Sequence, residues 1–246
     1  MSIESEDDLR GLRRAGRIVA LILRRLSAEV RPGRATGELG DLCEALLADH
    51  GARHAPRDRF GFPGAICISV GDEAVHGVPG GRTIRAGDLV KLDLVVAKDG
   101  YVADAAVTVA VPPVAAVARR LATCAARAFA RALPEIRAGA RISHVGRAIE
   151  REARRSGFSV LRDLCGHGVG RDVHEAPAIP NFADPTNRDC LTEGLVIAVE
   201  PILASGGDAV VQDGDGWTIR TADGSLAAHH EHTLVVTRGA PIVVTA

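Results

Sequence analysis

The sequence lacks the cysteine patterns that stabilise small secreted domains or hold structural zinc. Its five cysteines are an odd number, and no two of them form a Cys-x-x-Cys pair. A disulfide framework and a cysteine-ligated zinc site are therefore not expected, and a reducing compartment fits this usage best. The cysteines are Cys43, Cys67, Cys124, Cys165 and Cys190.

Long apolar runs are missing as well. The run at 89–97 is too short to span a bilayer and contains charges. The first residues, MSIESEDD, are acidic and lack the apolar stretch of a secretory signal. We therefore expect a soluble, cytoplasmic protein with no membrane contact.

The chain carries no excess of one charge. Lys+Arg 30 against Asp+Glu 31 gives a net charge of −1, so the charge balance offers no argument for a nucleic-acid partner and no DNA contact is expected. Lys91 and Lys98 are the only lysines among the basic residues, and we interpret this preference for arginine as genome composition bias rather than as a functional signal. The arginines on the first predicted helix are expected to be solvated, with a transient contact to ribosomal RNA as the alternative.

What the chain does have is a repeated order of helical and strand patterns. Helices are predicted over 7–30, from a Thr36 cap to Gly51, over 113–133 and from a Ser143 cap to Gly157. Strands are predicted over 66–70, 89–97, 101–111, 195–200, 217–221, 229–237 and 242–245. This order predicts an α+β fold made of two similar halves. Segments 87–93 and 194–200 each run from a glycine through apolar residues to a carboxylate, a modest sign of duplication. No linker of low complexity separates the halves, so one domain over residues 1–246 is expected.

Two aspartates lie on a predicted hairpin. Asp99-Gly100 is a strong turn signal, and that turn places Val95 opposite Asp104 and Asp93 diagonal to Asp104 on one face. Two carboxylates at such a short distance repel each other unless a cation lies between them. Two solvated surface aspartates are the alternative, but aspartate is disfavoured in a strand as apolar as this one.

Further acidic and imidazole side chains lie in apolar or glycine-rich segments. His167 lies within GHGVG and is followed by His174, Glu200 ends an apolar run, and Glu231 begins another. A lone histidine is more often structural than ligating, so each signal is modest alone. Together with the aspartates they make a donor set that suits Mn, Fe or Co better than structural zinc. Four carboxylates exceed the needs of one ion, which indicates two-metal hydrolysis.

Seven motifs make the sequence resemble the type I methionine aminopeptidases, which are pita-bread metallopeptidases. The motifs are FGFP (60–63), CISV (67–70), EAVHGVP (73–79), KLD (91–93), GHGVG (166–170), VEP (199–201) and EHT (231–233). They follow the family's order and spacing through nearly the whole chain, and their combination is specific although each alone is not. The resemblance implies the pita-bread α+β fold with pseudo-two-fold halves. It implies a metalloaminopeptidase with two divalent ions (Co, Mn, Fe or Zn) that removes the initiator methionine from nascent proteins with a small second residue.

The resemblance also implies a role for each matching metal ligand. Asp93 would chelate one ion, and His167 and Glu200 would bind the other. Asp104 and Glu231 would bridge the two ions. Glu200 would in addition accept the proton of the attacking water, so it is expected to be catalytic as well as a ligand.

Five further residues match positions that contact the substrate. His76 and His174 match two catalytic histidines that touch the scissile amide or the tetrahedral intermediate. Phe62, Cys67 and Trp217 match positions that line the methionine pocket, and a thioether packs well on aromatic and sulfur surfaces. Ordinary core packing is the alternative interpretation for these last three.

Some positions depart from the family's pattern. Arg59 and Val173 stand where many members carry an aromatic residue, which leaves the fine shape of the pocket open. His229 and His230 crowd Glu231 without an assigned role, and a hydrogen bond to the metal-binding carboxylates is conceivable for them.

Other functions fit the same motifs less well. Xaa-Pro peptidases of the same fold usually carry an added N-terminal domain, and inactive binding relatives lose ligands that are all intact here. Type II methionine aminopeptidases need a helical insertion, for which the gap between Glu200 and Glu231 leaves no room. A two-metal phosphatase would need a phosphate-cradling glycine loop, which is not recognisable. A monomer is expected because both halves would fill the core of one domain.

Overall fold

The computed structural model describes residues 1–246, and its helices form where apolar residues recur at steps of three and four. The helices are α1 Glu6–Glu29, α2 Thr36–Asp49, α3 Ala55–Phe60, α4 Ala116–Ala132 and α5 Ile142–Arg155. Ser5 caps α1, since its hydroxyl accepts the Asp8 N–H while the Asp8 carboxylate accepts the Ser5 N–H. Leu12, Val19 and Leu26 of α1 are fully buried, so the predicted apolar stripe faces the core.

Most strands join one nine-stranded sheet. The strands are β1 Arg53–His54, β2 Cys67–Val70, β3 Glu73–Val75, β4 Leu89–Lys98, β5 Tyr101–Ala110, β6 Ser159–Val160, β7 Cys165–Gly168, β8 Glu175–Pro180, β9 Val196–Val199, β10 Ile202–Ala204, β11 Val210–Gln212, β12 Ile219–Thr221, β13 Ala227–His229, β14 Glu231–Val235 and β15 Ile242–Val243. The order in the large sheet is β1-β4-β5-β14-β9-β7-β8, with β2 also along β4 and β15 along β14. Smaller sheets contain β13-β10-β6 and β11-β12-β3.

The two halves of the chain repeat the same order of elements. Helices α1 and α2 precede β4 and β5, and helices α4 and α5 precede β9 and β14. An isolated bridge joins Ala35, just before α2, to Thr83, and its counterpart joins Arg141, just before α5, to Cys190. The two glycine-to-carboxylate segments of the sequence fall on β4 and β9. The predicted α+β fold with two similar halves is therefore confirmed.

The buried core has two main clusters, one for each pair of long helices. The first packs α1 and α2 against β4 and β5, and the second packs α4 and α5 against β9 and β14. Strands from both halves meet where β5 pairs with β14. Polar side chains on those central strands are thus supplied by both halves of the chain.

Several local predictions were wrong. The strand predicted over 229–237 is interrupted at His230, so β13 and β14 lie in different sheets. Thr36 and Ser143 lie inside the first turns of α2 and α5 and do not cap them, and the Thr36 hydroxyl instead bonds to the main chain of Gly80.

No helix is both long and apolar enough to cross a membrane.

Candidate metal centre

The first two carboxylates are placed by the hairpin between β4 and β5. Asp99 and Gly100 form its turn with φ of 50° and 79°, values that suit a tight hairpin. Val95 pairs with Asp104, so Asp93 is diagonal to Asp104 on the same face, as predicted. The site therefore begins on a long, rigid pair of strands.

His167 lies on β7, between β8 and β9, and its glycine neighbours permit this close packing. A Cβ at Gly166 would lie 2.4 Å from the Ala198 carbonyl oxygen, and one at Gly168 would lie 2.2 Å from the Ala176 carbonyl oxygen. His167 Nδ1 lies 2.9 Å from the Gly168 carbonyl oxygen. Because a carbonyl oxygen only accepts, Nδ1 carries the proton and Nε2 presents its lone pair to the site.

Glu200 follows β9 and Glu231 begins β14, so both reach the same space from the second half. His167 Nε2 is 3.5 Å from Glu200 Oε1 and 4.0 Å from Asp104 Oδ2. Single ligand atoms of Asp104, His167 and Glu231 all lie within 4.8 Å of one another. The structure thus brings the predicted ligands of the two halves to one place.

Burial of so many carboxylates shifts their titration. Burial raises the pKa of Asp93 to about 7. The pKa values of Asp104, Glu200 and Glu231 are raised well above their ordinary range, first by burial and then by repulsion from neighbouring carboxylates. Asp104 Oδ1 and Glu231 Oε1 are buried without any hydrogen-bond partner. Unpartnered buried carboxylate oxygens fit a site that cations neutralise.

Two histidines flank this carboxylate cluster. His76 has a φ of 57°, an unusual value for a residue with a side chain and one that often marks a functional position. Burial and the nearby His174 lower the pKa of His76 to about 4. Burial also lowers the pKa of His174 and lowers that of His167 to about 4. All three rings are therefore neutral near pH 7.

These side chains line one cavity of about 370 Å³, a size typical of small-ligand sites. All ten residues singled out from the sequence line it: Phe62, Cys67, His76, Asp93, Asp104, His167, His174, Glu200, Trp217 and Glu231. Their individual roles stay predictions. The structure shows that the ten side chains share one space.

The apolar wall of the cavity adjoins the acidic cluster. Phe62 meets Trp217 edge to face with ring centroids 5.2 Å apart. Cys67 pairs with Asp93 across β2 and β4, and burial raises the pKa of its thiol well above the ordinary value. Phe60, which is exposed, stacks on His174 with ring centroids 5.7 Å apart. An apolar side chain can therefore bind directly beside the polar groups.

The two departures from the family's pattern lie in different environments. Arg59 pairs with Asp172, with Nε 3.0 Å from the Oδ2 atom, and is exposed. Val173 is buried and lines the cavity. The aromatic side chain at the rim is supplied by Phe60, which belongs to the FGFP motif but to which the sequence assigns no role.

His229, to which the sequence motifs assign no role, lies inside the cluster. Its Nε2 atom is 3.6 Å from Glu200 Oε2 and 3.5 Å from Glu231 Oε2, and burial lowers its pKa to about 3. His230 and His232 instead pack against Phe129, with ring centroids 5.5 Å and 5.0 Å away. The run His-His-Glu-His signalled an unusual density of imidazole, but only the strand break shows which ring points inward.

Known proteins resemble this chain along its length. A model of metallopeptidase family M24 matches residues 10–238. Methionine aminopeptidase 2 of Bacillus subtilis (strain 168) is 39% identical over 247 residues, which cover 100% of this chain and 99% of that relative. The solved methionine aminopeptidase of Rickettsia prowazekii is 34% identical with a TM-score of 0.96, over 100% of both chains. A prolidase from Pyrococcus furiosus has a TM-score of 0.77 at 21% identity, over 99% of this chain and 65% of that one, and so shares the fold alone.

Proposed function

The chain belongs to metallopeptidase family M24 and is a methionine aminopeptidase, and we propose that two divalent metal ions held in the cavity assist its hydrolysis of peptides. Membership of a metallopeptidase family implies the use of divalent metal. The number of ions, their identity among Co, Mn, Fe and Zn, and the ligand assignments below are the proposed part.

One observation carries the metal proposal. Four carboxylates and the imidazole of His167 converge at the base of the cavity, and two of the buried carboxylate oxygens have no partner within the protein. If two ions bind, Asp93 would hold one, His167 and Glu200 would hold the other, and Asp104 and Glu231 would be shared by both. Oxygen-rich donors with one imidazole suit Mn, Fe or Co. When bound, two such ions polarise the scissile carbonyl and lower the pKa of water.

The remaining polar side chains are proposed to handle protons. Glu200 faces the cavity beside His167, so it is placed to accept the proton of the attacking water. His76 and His174 are neutral near pH 7 and each can donate one N–H. They would stabilise the oxygen charge of the tetrahedral intermediate or pass a proton to the leaving amine.

The apolar wall is proposed to select methionine. Phe62, Cys67 and Trp217 offer aromatic and sulfur surfaces, on which a flexible thioether packs well. Phe60 and His174 line the exposed side of the cavity and would crowd a large second residue of the substrate. We therefore propose nascent proteins with a small second residue as substrates.

The cellular setting is likewise a proposal. We propose that the enzyme is a cytoplasmic monomer that meets nascent chains at the ribosome. An electrostatic contact with ribosomal RNA is supported by three exposed arginines of α1 that form no ion pair, Arg13, Arg17 and Arg24. Replacement of all three by glutamine should abolish cosedimentation with ribosomes at low salt, and unchanged cosedimentation would contradict this contact.

A peptide assay tests the catalytic proposal. Protein freed of metal by chelation should lose activity and regain it with Mn²⁺, Co²⁺ or Fe²⁺. It should release methionine from Met-Ala-Ser and leave Ala-Pro intact. Cleavage of Ala-Pro without release of methionine would refute the substrate assignment, and full activity after complete metal removal would refute the metal proposal.

Two aspartate variants sharpen the assay. Asp104→Asn should stay inactive with every metal, because the amide cannot supply an anionic bridge. Asp99→Asn changes the same residue type in the exposed turn of the same hairpin, and asparagine tolerates a left-handed backbone. The Asp99→Asn enzyme should therefore keep normal activity. An active Asp104→Asn enzyme would overturn the ligand assignment.

A further inference from the structure

His229 is held rigidly beside the metal-binding carboxylates by its main chain. It is the last residue of β13 and pairs with Ile202 of β10. Its N–H donates to Thr108 Oγ1 at 2.9 Å, and the Thr108 hydroxyl donates to the His229 carbonyl oxygen at 2.7 Å. With 1% of its surface exposed, the side chain has little freedom to turn away.

The imidazole lies between two carboxylates that the proposed function assigns to metal. Its Nε2 atom is 3.5 Å from Glu231 Oε2 and 3.6 Å from Glu200 Oε2. Neither ring nitrogen makes a hydrogen bond within the protein, so both remain available to a partner in the site. The opposite oxygen of Glu200, Oε1, faces His167. Glu200 therefore lies between two imidazoles, one on each carboxylate oxygen.

We infer that His229 is a positioning residue, whose Nε2–H faces the Oε2 atoms of Glu200 and Glu231, donates to them in the metal-loaded site and thereby orients these carboxylates toward the metal ions. A neutral imidazole has one donor and one acceptor nitrogen. Only the tautomer with the proton on Nε2 places a donor against the two carboxylate oxygens, since a lone pair there would repel them. The inference rests on the proposed metal site, because it concerns how two of its ligands are held.

The physical consequence is a preorganised site. A ligating carboxylate that can rotate loses conformational freedom when metal binds, and a hydrogen bond to its other oxygen removes that freedom in advance. Loss of such a supporting partner typically costs about 10–100-fold in metal affinity or activity. Direct ligation of the metal by His229 is the competing arrangement, and it would make the site richer in nitrogen.

Two substitutions at His229 separate these arrangements. His229→Leu removes the donor, whereas His229→Gln keeps an N–H donor but replaces the imidazole by an amide. Mn²⁺ binding by calorimetry, the Co²⁺ absorption spectrum, and kcat and KM on Met-Ala-Ser are measured for each. His230→Leu is the matched control, because its ring packs on Phe129 away from the cavity.

We expect His229→Leu to bind Mn²⁺ about 10–100-fold more weakly and to lower kcat more than it changes KM. His229→Gln should keep Mn²⁺ affinity within about tenfold of the wild type, with an unchanged Co²⁺ spectrum. His230→Leu should match the wild type in both. A His229→Leu protein with unaltered Mn²⁺ affinity would overturn the inference, as would a His229→Gln protein with a shifted Co²⁺ spectrum, the sign of a lost imidazole ligand.

The same measurements keep the two proposals apart. If His229→Leu fails to fold, the His229→Gln affinity and spectrum decide the matter alone. Wild-type protein that binds no Mn²⁺ would refute the proposed metal site itself. Wild-type protein that binds Mn²⁺ normally while both variants also bind it normally would refute only the role of His229.

Discussion

Each of the four carboxylates proposed to bind metal is in an environment that opposes its ionised form. Burial and mutual repulsion raise the pKa of Asp104, Glu200 and Glu231, and burial raises that of Asp93. Metal binding requires the ionised forms. The groups that weaken the metal-free fold at neutral pH are therefore the groups that stabilise it once cations are bound.

This opposition predicts a pH-dependent effect of Asp93→Asn in metal-free protein. An unfolded aspartate titrates near 4, whereas the pKa of Asp93 is about 7, so the folded state holds a proton that the unfolded chain has released. The stability from that proton is complete below about pH 4 and is lost as the pH rises through about 7. The variant has no such proton to lose. Between pH 5 and pH 8 the free energy of unfolding of the Asp93→Asn variant should therefore rise by on the order of 2 kcal/mol relative to that of the wild type.

Urea unfolding of both chelated proteins at the two pH values measures this gain. Taking the difference between two otherwise identical proteins cancels the buried histidines, whose lowered pKa values act in the opposite direction. A difference in stability that does not change with pH, or that changes in favour of the wild type, would be inconsistent with the raised pKa of Asp93.

The methionine pocket gives a second prediction for a single residue. Trp217→Ala removes the aromatic surface that meets Phe62 and should weaken the preference for methionine over leucine at the first position by about tenfold. The ratio of kcat/KM for Met-Ala-Ser and Leu-Ala-Ser measures this. Val211→Ala, at an exposed position on β11, is the control and should leave the ratio unchanged. An unaltered ratio in Trp217→Ala would show that the ring is only core packing.

Among the elements, β7 depends most on glycine. A methyl group at Gly168 would press on the Ala176 carbonyl oxygen of β8 and displace the neighbouring His167. Gly168→Ala should lower the free energy of unfolding by about 1–3 kcal/mol and weaken Mn²⁺ binding by at least about tenfold. Gly214→Ala is the control, because no atom lies within 4 Å of its Cβ position. Chemical unfolding and calorimetry check both, and normal Mn²⁺ binding by Gly168→Ala would count against this role of β7.

Long elements and several short strands could be predicted from the sequence, whereas the break between β13 and β14 could not. The 10-residue strands β4 and β5 and their Asp99-Gly100 turn are specified locally, by strand propensity and by a turn that needs a left-handed backbone. The break at His230 has no local signal, because no glycine or proline marks it between residues 226 and 237. It arises from tertiary pairing, since β13 pairs with β10 while β14 pairs with β9 and β5. The inward position of His229 follows from that break, so it could not be predicted from the sequence either.

At the scale of the molecule, the cavity lies between the two halves of the fold. The first half contributes Asp93 and Asp104, and the second contributes His167, Glu200 and Glu231. Motif order could predict that these residues meet, because the spacing of a family's motifs reflects its topology. It could not predict the orientation of each carboxylate, which depends on neighbours such as Thr233, whose hydroxyl bonds to the main chain of Asp104.

An anomalous difference map from crystals grown with Mn²⁺ tests the two-metal site most directly. Two peaks about 3.5–4 Å apart are expected, the spacing typical of two-metal sites. One should contact Asp93 and the other His167 and Glu200, with Asp104 and Glu231 shared between them. A single peak at saturating Mn²⁺, or peaks outside this cavity, would contradict the two-metal site.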